Sequence, residues 1–244
     1  MPSLNGKTAL ITGGGTGIGL GIAVALAEAG CKVAIAGRRE QVLRLAAESY
    51  KGKQPLLYFR VNVAHRGSVK NLFQWAEKQL GPIDILVNSA GTNIKTRKMS
   101  DMKPEQWDQV LAINATGAYN CMYAVLPQMR ERRDGLIVNV SSIAGKRASE
   151  LGGVAYSASK FAMTALGTAV ANEDAKNGIR VTNVYPGEVN TPILENRPNP
   201  VSDEHKAAIL QPEDVGVLIA TIAALPPRAH VPEIIIKPTH QLYS

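Results

Sequence analysis

The chain has 244 residues, 45% of them hydrophobic, which is enough to bury one sizeable core, and residues 1–244 are expected to form a single domain. Its formal charge of +7 comes from Lys and Arg spread along the whole chain, and aromatics make up only 5%. That pattern argues against a nucleic-acid module; anionic small ligands or an acidic carrier protein account for the excess as well.

Cys31 and Cys121 stand far apart, with no CxxC pair or His cluster, so neither a disulfide framework nor a metal site is encoded, which fits a reducing cytoplasm. The first residues, Met1 to Gly15, reach the strand-like Ala9-Leu10-Ile11 without the features of an export signal. The longest apolar stretch, Val215 to Leu225, is about half of what a bilayer requires.

Short β-branched runs alternate with segments of helical period, the pattern of a parallel sheet covered on both faces. The first run, Thr8 to Thr12, leads into a turn holding Gly13, Thr16, Gly17, Ile18 and Gly19, which opens a helix over Gly17 to Ala29. Glycines there let backbone approach a pyrophosphate at the helix N-terminus; an ordinary tight turn is the bland alternative. The second run, Lys32 to Gly37, ends where NAD-preferring sites carry an acid, but Arg38 and Arg39 follow, before a helix over Glu40 to Tyr50. Without a carboxylate to repel a 2′-phosphate, and with a guanidinium to hold it, the reading is NADP(H), with Arg38 as main contact and Arg39 as helper, against a pair of solvated arginines.

The third strand, Leu56 to Val61, leads to Asn62-Val63 and a helix over Ser68 to Leu80, and the fourth, Ile83 to Val87, to Asn88-Ser89-Ala90-Gly91. A long helix is expected from Pro104 to Glu131, carrying Asn114. The fifth strand, Gly135 to Val140, runs into Ser141-Ser142, and a helix over Ala155 to Asn177 follows. After the sixth strand, Arg180 to Tyr185, come Pro186-Gly187, Val189 and Thr191, then Glu188 to Gln211 without clear periodicity, a loop placed to cover a ligand. A helix over Pro212 to Leu225 and a last strand, Glu233 to Ile236, complete the chain.

Within the helix expected over Ala155 to Asn177, Tyr156 and Lys160 lie one helical turn apart, so an ammonium can sit near a phenol and favour its phenolate. The pair alone proves little. Together with Thr12-Gly13-Gly14-Gly15-Thr16-Gly17-Ile18-Gly19, Asn88-Ser89-Ala90-Gly91, Asn114 and Ser142, it resembles the short-chain dehydrogenase/reductases over almost the whole chain. The resemblance implies a doubly wound α/β fold, a seven-stranded parallel sheet of order 3-2-1-4-5-6-7, and a catalytic tetrad of Asn114, Ser142, Tyr156 and Lys160. In it Tyr156 is the acid/base, Lys160 its cation and a hold on the nicotinamide ribose, and Ser142 orients the substrate oxygen, with Ser141 as the alternative. Asn62-Val63 stands where the family usually has Asp-Val against adenine, and Ser89 departs from its Asn-Asn-Ala-Gly. Asn88, Ala90 and Gly91 are expected beside the adenosine; the backbone after Pro186-Gly187, through Val189, and the Thr191 hydroxyl beside the carboxamide.

Reaction type is implied better than substrate. A carbonyl reductase acting on small molecules ranks first. A 3-oxoacyl-carrier-protein reductase ranks second, Arg133 matching one of that group's carrier-docking arginines while Asn177, beside Lys176, replaces the other. The ending Glu233-Ile234-Ile235-Ile236-Lys237-Pro238-Thr239 also departs from those reductases. A non-catalytic NADP-binding protein is a third reading. The small-residue helix from Ala155 and the family resemblance imply a homodimer or homotetramer, with no membrane and no nucleic-acid partner.

Overall fold

A computed structural model describes residues 3–242. Its seven strands are β1 (Thr8–Thr12), β2 (Lys32–Gly37), β3 (Leu57–Arg60), β4 (Ile85–Asn88), β5 (Gly135–Val140), β6 (Ile179–Pro186) and β7 (Glu233–Ile236). All pair in parallel, in the order β3-β2-β1-β4-β5-β6-β7, as the resemblance implies. Successive residues of a strand point to opposite faces, so a sheet buried on both sides needs two cores. Ala9, Ile11, Ile35, Val87 and Val138 enter one layer with Ile22, Leu26, Val215 and Ile219 of α1 (Gly17–Glu28) and α8 (Pro212–Ala223). Leu10, Ala34, Leu86 and Ile137 enter the other, with Leu72 and Phe73 of α3 (Arg66–Leu80) and Met122 and Val125 of α5 (Gly117–Arg132). No helix among the described residues is long and apolar enough to cross a membrane.

Across three adjacent strands, β4, β5 and β6, runs a polar rung. Asn88, Asn139 and Asn183 occupy matched positions on β4, β5 and β6. Asn88 Nδ2 donates to Asn139 Oδ1 at 3.0 Å, and Asn139 Nδ2 to Asn183 Oδ1 at 3.1 Å. Gly167 of α6 (Val154–Asp174) leaves room for it, because a Cβ there would stand 2.2 Å from Asn183 Oδ1.

The expected helix from Pro104 to Glu131 is divided. It comprises α4 (Pro104–Leu111), a π turn (Ala112–Thr116) and α5. The wider turn, closed by the bond from Gly117 N–H to Ala112 O, holds an extra residue around Asn114, a device that recurs at functional sites. Between 188 and 211 the chain is more regular than its sequence suggests, with a 3₁₀ helix (Pro192–Asn196) and α7 (Asp203–Ala208). Helices this short are invisible to a periodicity reading. Only the cap shows in the sequence: Ser202 Oγ accepts the His205 N–H at 3.2 Å. The remaining helix, α2, spans Glu40–Ser49.

Candidate active site

Parallel strands bring their carboxyl ends to one edge, and between β1 and β4 the winding reverses, so a crevice opens there. It holds a cavity of about 510 Å³. Of the residues singled out in the sequence, Gly13, Thr16, Gly17, Ile18, Gly19, Arg38, Arg39, Asn62, Val63, Ala90, Gly91, Ser142, Tyr156, Lys160, Pro186, Gly187, Val189 and Thr191 all line it. Asn88 and Asn114 do not; both are buried behind its wall.

One end is built by the glycine turn. Gly13 has φ +69°, and a Cβ on it would stand 2.7 Å from Ala90 N; a Cβ on Gly19 would stand 2.3 Å from Gly13 O. The turn is therefore folded flat on the β4 loop in a way that side chains would prevent. Helix α1 starts at this turn with no side-chain cap at Thr16 and no acid in its first turn. Its first N–H groups and its positive dipole end are left for an anion. Arg38 and Arg39 are exposed on the wall beyond β2, and no carboxylate among the described residues lies within ion-pair distance of either. The Asn62 Oδ1 accepts the Ala64 N–H at 3.2 Å, which fixes the turn before α3.

Around the other end stand the four residues expected to form a tetrad. Asn114 spends its whole amide on architecture: Oδ1 accepts Thr92 N–H at 2.8 Å, while Nδ2 donates to Thr92 O at 3.0 Å and to Ser159 Oγ at 2.9 Å. It ties the loop after β4 to α6. Ser142, in extended backbone at the end of β5, accepts the Ala144 N–H at 3.1 Å and stands close enough to Tyr156 for a hydrogen bond that lowers the phenol's pKa. Ser141 faces the other way, with its Oγ 3.2 Å from Lys160 O and from Thr164 Oγ1, so of the two serines Ser142 meets the tyrosine.

Tyr156 keeps part of its surface open to the cavity, but its hydroxyl is desolvated, and this raises its pKa; the Ser142 hydrogen bond and the Arg97 charge pull the other way. Lys160, the cation expected to act on this phenol, is also held by the backbone. The Lys160 ammonium is 5.6 Å from the Tyr156 ring centre, and it donates to Val140 O at 2.7 Å. A buried ammonium must find an acceptor, and the carbonyl at the end of β5 is the one in reach. Burial lowers the Lys160 pKa to about 8.

Arg97 lies in the segment Thr92 to Met102, which the sequence offers as a specificity region without separating Arg97 from Lys95 or Lys98. Its Nε donates to Ile94 O at 3.1 Å, Nη2 to Asn196 O at 2.9 Å, and Nη1 to Leu151 O, joining three loops over the cavity. The loop after β6 is fastened separately. Val189 bridges Leu210, and Glu188 binds Arg197 at 3.1 Å and His205 at 2.5 Å. Gln241, missed from the sequence, folds back from the C-terminal segment, its Oε1 accepting the Glu188 N–H at 3.0 Å.

A sequence profile described as short chain dehydrogenase matches residues 7–201. An uncharacterised oxidoreductase of Staphylococcus aureus is 33% identical over 238 residues, covering 98% of this chain and 100% of that protein. Among solved structures, a closed serine dehydrogenase with NADP⁺ is similar with TM-score 0.87 and 27% identity, covering 97% of each chain. So is a 3-ketoacyl-(acyl-carrier-protein) reductase of Brucella melitensis with NADH, with TM-score 0.87 and 27% identity, covering 98% of this chain and 100% of that one. With the tetrad types gathered at one crevice and the profile spanning most of its length, the chain belongs to the short-chain dehydrogenase family of oxidoreductases.

Proposed function

We propose that this oxidoreductase interconverts a small-molecule carbonyl and its secondary alcohol with NADP(H), using Tyr156 as acid/base. The observation that carries the reading is a cavity with a glycine-lined turn at one end and the Ser142–Tyr156 pair at the other. Residues 1–244 are read as one working unit.

The residues fit a dinucleotide. The flat glycine turn and the uncapped start of α1 suit a pyrophosphate, Arg38 and Arg39 suit a 2′-phosphate, and Thr191, packed on Gly17, with the Pro186–Val189 backbone suits the carboxamide end. When bound, NADPH supplies the hydride for the carbonyl carbon. Ser142 donates to the substrate oxygen and orients it. Tyr156 then gives that oxygen its proton as negative charge develops there. Lys160 keeps a positive charge beneath the phenol, and Asn114 holds the Thr92 loop and α6 at fixed separation.

The test is the initial rate of NADPH oxidation, with NADH alongside, against small ketones and aldehydes and against acetoacetyl-carrier protein. Activity on free ketones that falls by roughly 10²- to 10⁴-fold in Tyr156→Phe supports the reading. A Tyr156→Phe variant as active as the parent overturns it.

The carrier-protein reductase stays as second reading because the Brucella melitensis reductase is similar and because the exposed Arg133 is fastened beside the exposed residue Lys176, its Nη2 donating to Lys176 O at 2.6 Å. Against it, Asn177 replaces the second arginine, and its amide is held by Asp174 at 2.8 Å. A homodimer or homotetramer in the cytoplasm is the proposed setting. Exposed Tyr119 and Tyr123 on α5 and Phe161 on α6 support self-association through these helices.

A further inference from the structure

Arg97 has more capacity than its loops use. A guanidinium carries five N–H groups, and its three bonds to backbone carbonyls leave two over. None of the described carboxylates lies within ion-pair distance of Arg97, whereas its neighbour Arg197 is neutralised by Glu188 at 3.1 Å. Glu188 is in turn engaged by His205, and Glu195, the other carboxylate on the cavity wall, is exposed at its rim. Besides the buried Lys160 ammonium, which is bonded to Val140 O, the substrate end of the cavity therefore carries a second positive charge without a counter-ion, the partly buried Arg97. It is held rigidly, because three separate loops clamp the side chain, and it is close enough to Tyr156 for each group's charge to act on the other. Holding a desolvated cation without a counter-ion is costly, and a fixed fork next to the reacting atom is what recognition of a planar anion requires.

We propose that the substrate carries a carboxylate that docks on Arg97, so that the carbonyl compound is a short oxo acid and the alcohol the corresponding hydroxy acid. The inference rests on the carbonyl-reductase reading above. The balance is unchanged: the carbonyl carbon gains a hydride, its oxygen gains the Tyr156 proton, and NADPH becomes NADP⁺. Arg97 contributes the anchor that sets the carbonyl between Ser142 and Tyr156.

The experiment compares acetoacetate with its neutral methyl ester in wild type, Arg97→Lys and Arg97→Gln, and measures acetoacetate binding calorimetrically in the presence of NADP⁺. Wild type is expected to favour the acid at least tenfold in kcat/KM. Arg97→Gln should lower that acid-to-ester ratio by about 10- to 100-fold, with Arg97→Lys between them. If Arg97 only clamps loops, both substrates fall together and the ratio stays fixed, which overturns the inference, as does a wild type indifferent to the charge. Should neither compound oxidise NADPH, the reductase reading fails for these ketones, and calorimetry decides the anchor separately: binding of acetoacetate lost in Arg97→Gln supports it, and no binding to wild type overturns it.

Discussion

Replacing Lys160 by Met should remove a gain in stability that the wild-type protein makes as the pH rises, by an amount that can be calculated. The Lys160 side chain is buried, with 4% of the residue exposed, and its pKa falls from 10.5 to about 8 because burial disfavours the ammonium. Unfolded, the group titrates near its ordinary value, so between about pH 8 and 10.5 the unfolded chain binds more protons than the folded one, and stability rises with pH. Below about pH 8 the charged group opposes folding in full, by about 3 kcal/mol at about 1.36 kcal/mol per pH unit. By pH 10 the folded group is neutral and roughly 2–3 kcal/mol of this has been recovered. The variant lacks the titration but leaves the Val140 carbonyl without its donor, an offset of about 1–3 kcal/mol that does not change with pH. The clean quantity is therefore the stability difference between variant and wild type, from urea unfolding at pH 7 and pH 10, where the other titrations cancel. It should move by roughly 2–3 kcal/mol in favour of wild type as the pH rises. A difference that stays within about 0.5 kcal/mol at the two pH values would refute the buried-ammonium argument.

In the reducing direction, kcat/KM should fall above about pH 8 as Lys160 loses its proton, and Lys160→Arg, whose guanidinium stays charged, should flatten that limb; a pH–rate profile of both proteins checks it. Arg38→Asp should weaken NADPH relative to NADH by about 10- to 100-fold in dissociation constant, through loss of a charge-assisted bond and added repulsion of the 2′-phosphate, and fluorescence titration with each cofactor reads it. Gly167→Ala should destabilise by about 1–3 kcal/mol, since its methyl would press on the Asn139 and Asn183 amides, and thermal unfolding should show it.

Most of the fold could be read from the sequence because a parallel sheet writes itself as apolar runs, and strands such as Gly135–Val140 emerged with the same bounds. The cavity residues were legible where a motif has a backbone reason, as in the Gly13–Gly19 turn, or a helical spacing, as in Tyr156 and Lys160. Three kinds of feature were not legible. The π turn at Ala112–Thr116 leaves the residue pattern of a continuous helix. The short helix α7 falls below any period. Arg97, Arg197 and Gln241 reach the cavity from loops whose paths depend on contacts with distant segments, such as Arg97 with Asn196 O. The Asn114 amide shows the same limit: its type pointed to the site, but its three bonds, all to Thr92 and Ser159, are a matter of tertiary geometry.

The asparagine rung has a consequence for how this sheet finds its alignment. Runs such as Ile85-Leu86-Val87 and Leu136-Ile137-Val138 would bury almost equally well if one strand slid two residues along its neighbour, since the faces would be preserved. Greasy side chains cannot detect that error. The amides can: a slid strand would leave Asn88, Asn139 or Asn183 enclosed without a partner, at about 1–3 kcal/mol for each stranded group. The rung therefore acts as a set of index marks toward the end of the sheet where the cavity-lining loops begin, so that Ser142 and the β4 loop arrive at matching heights before any ligand is present to align them.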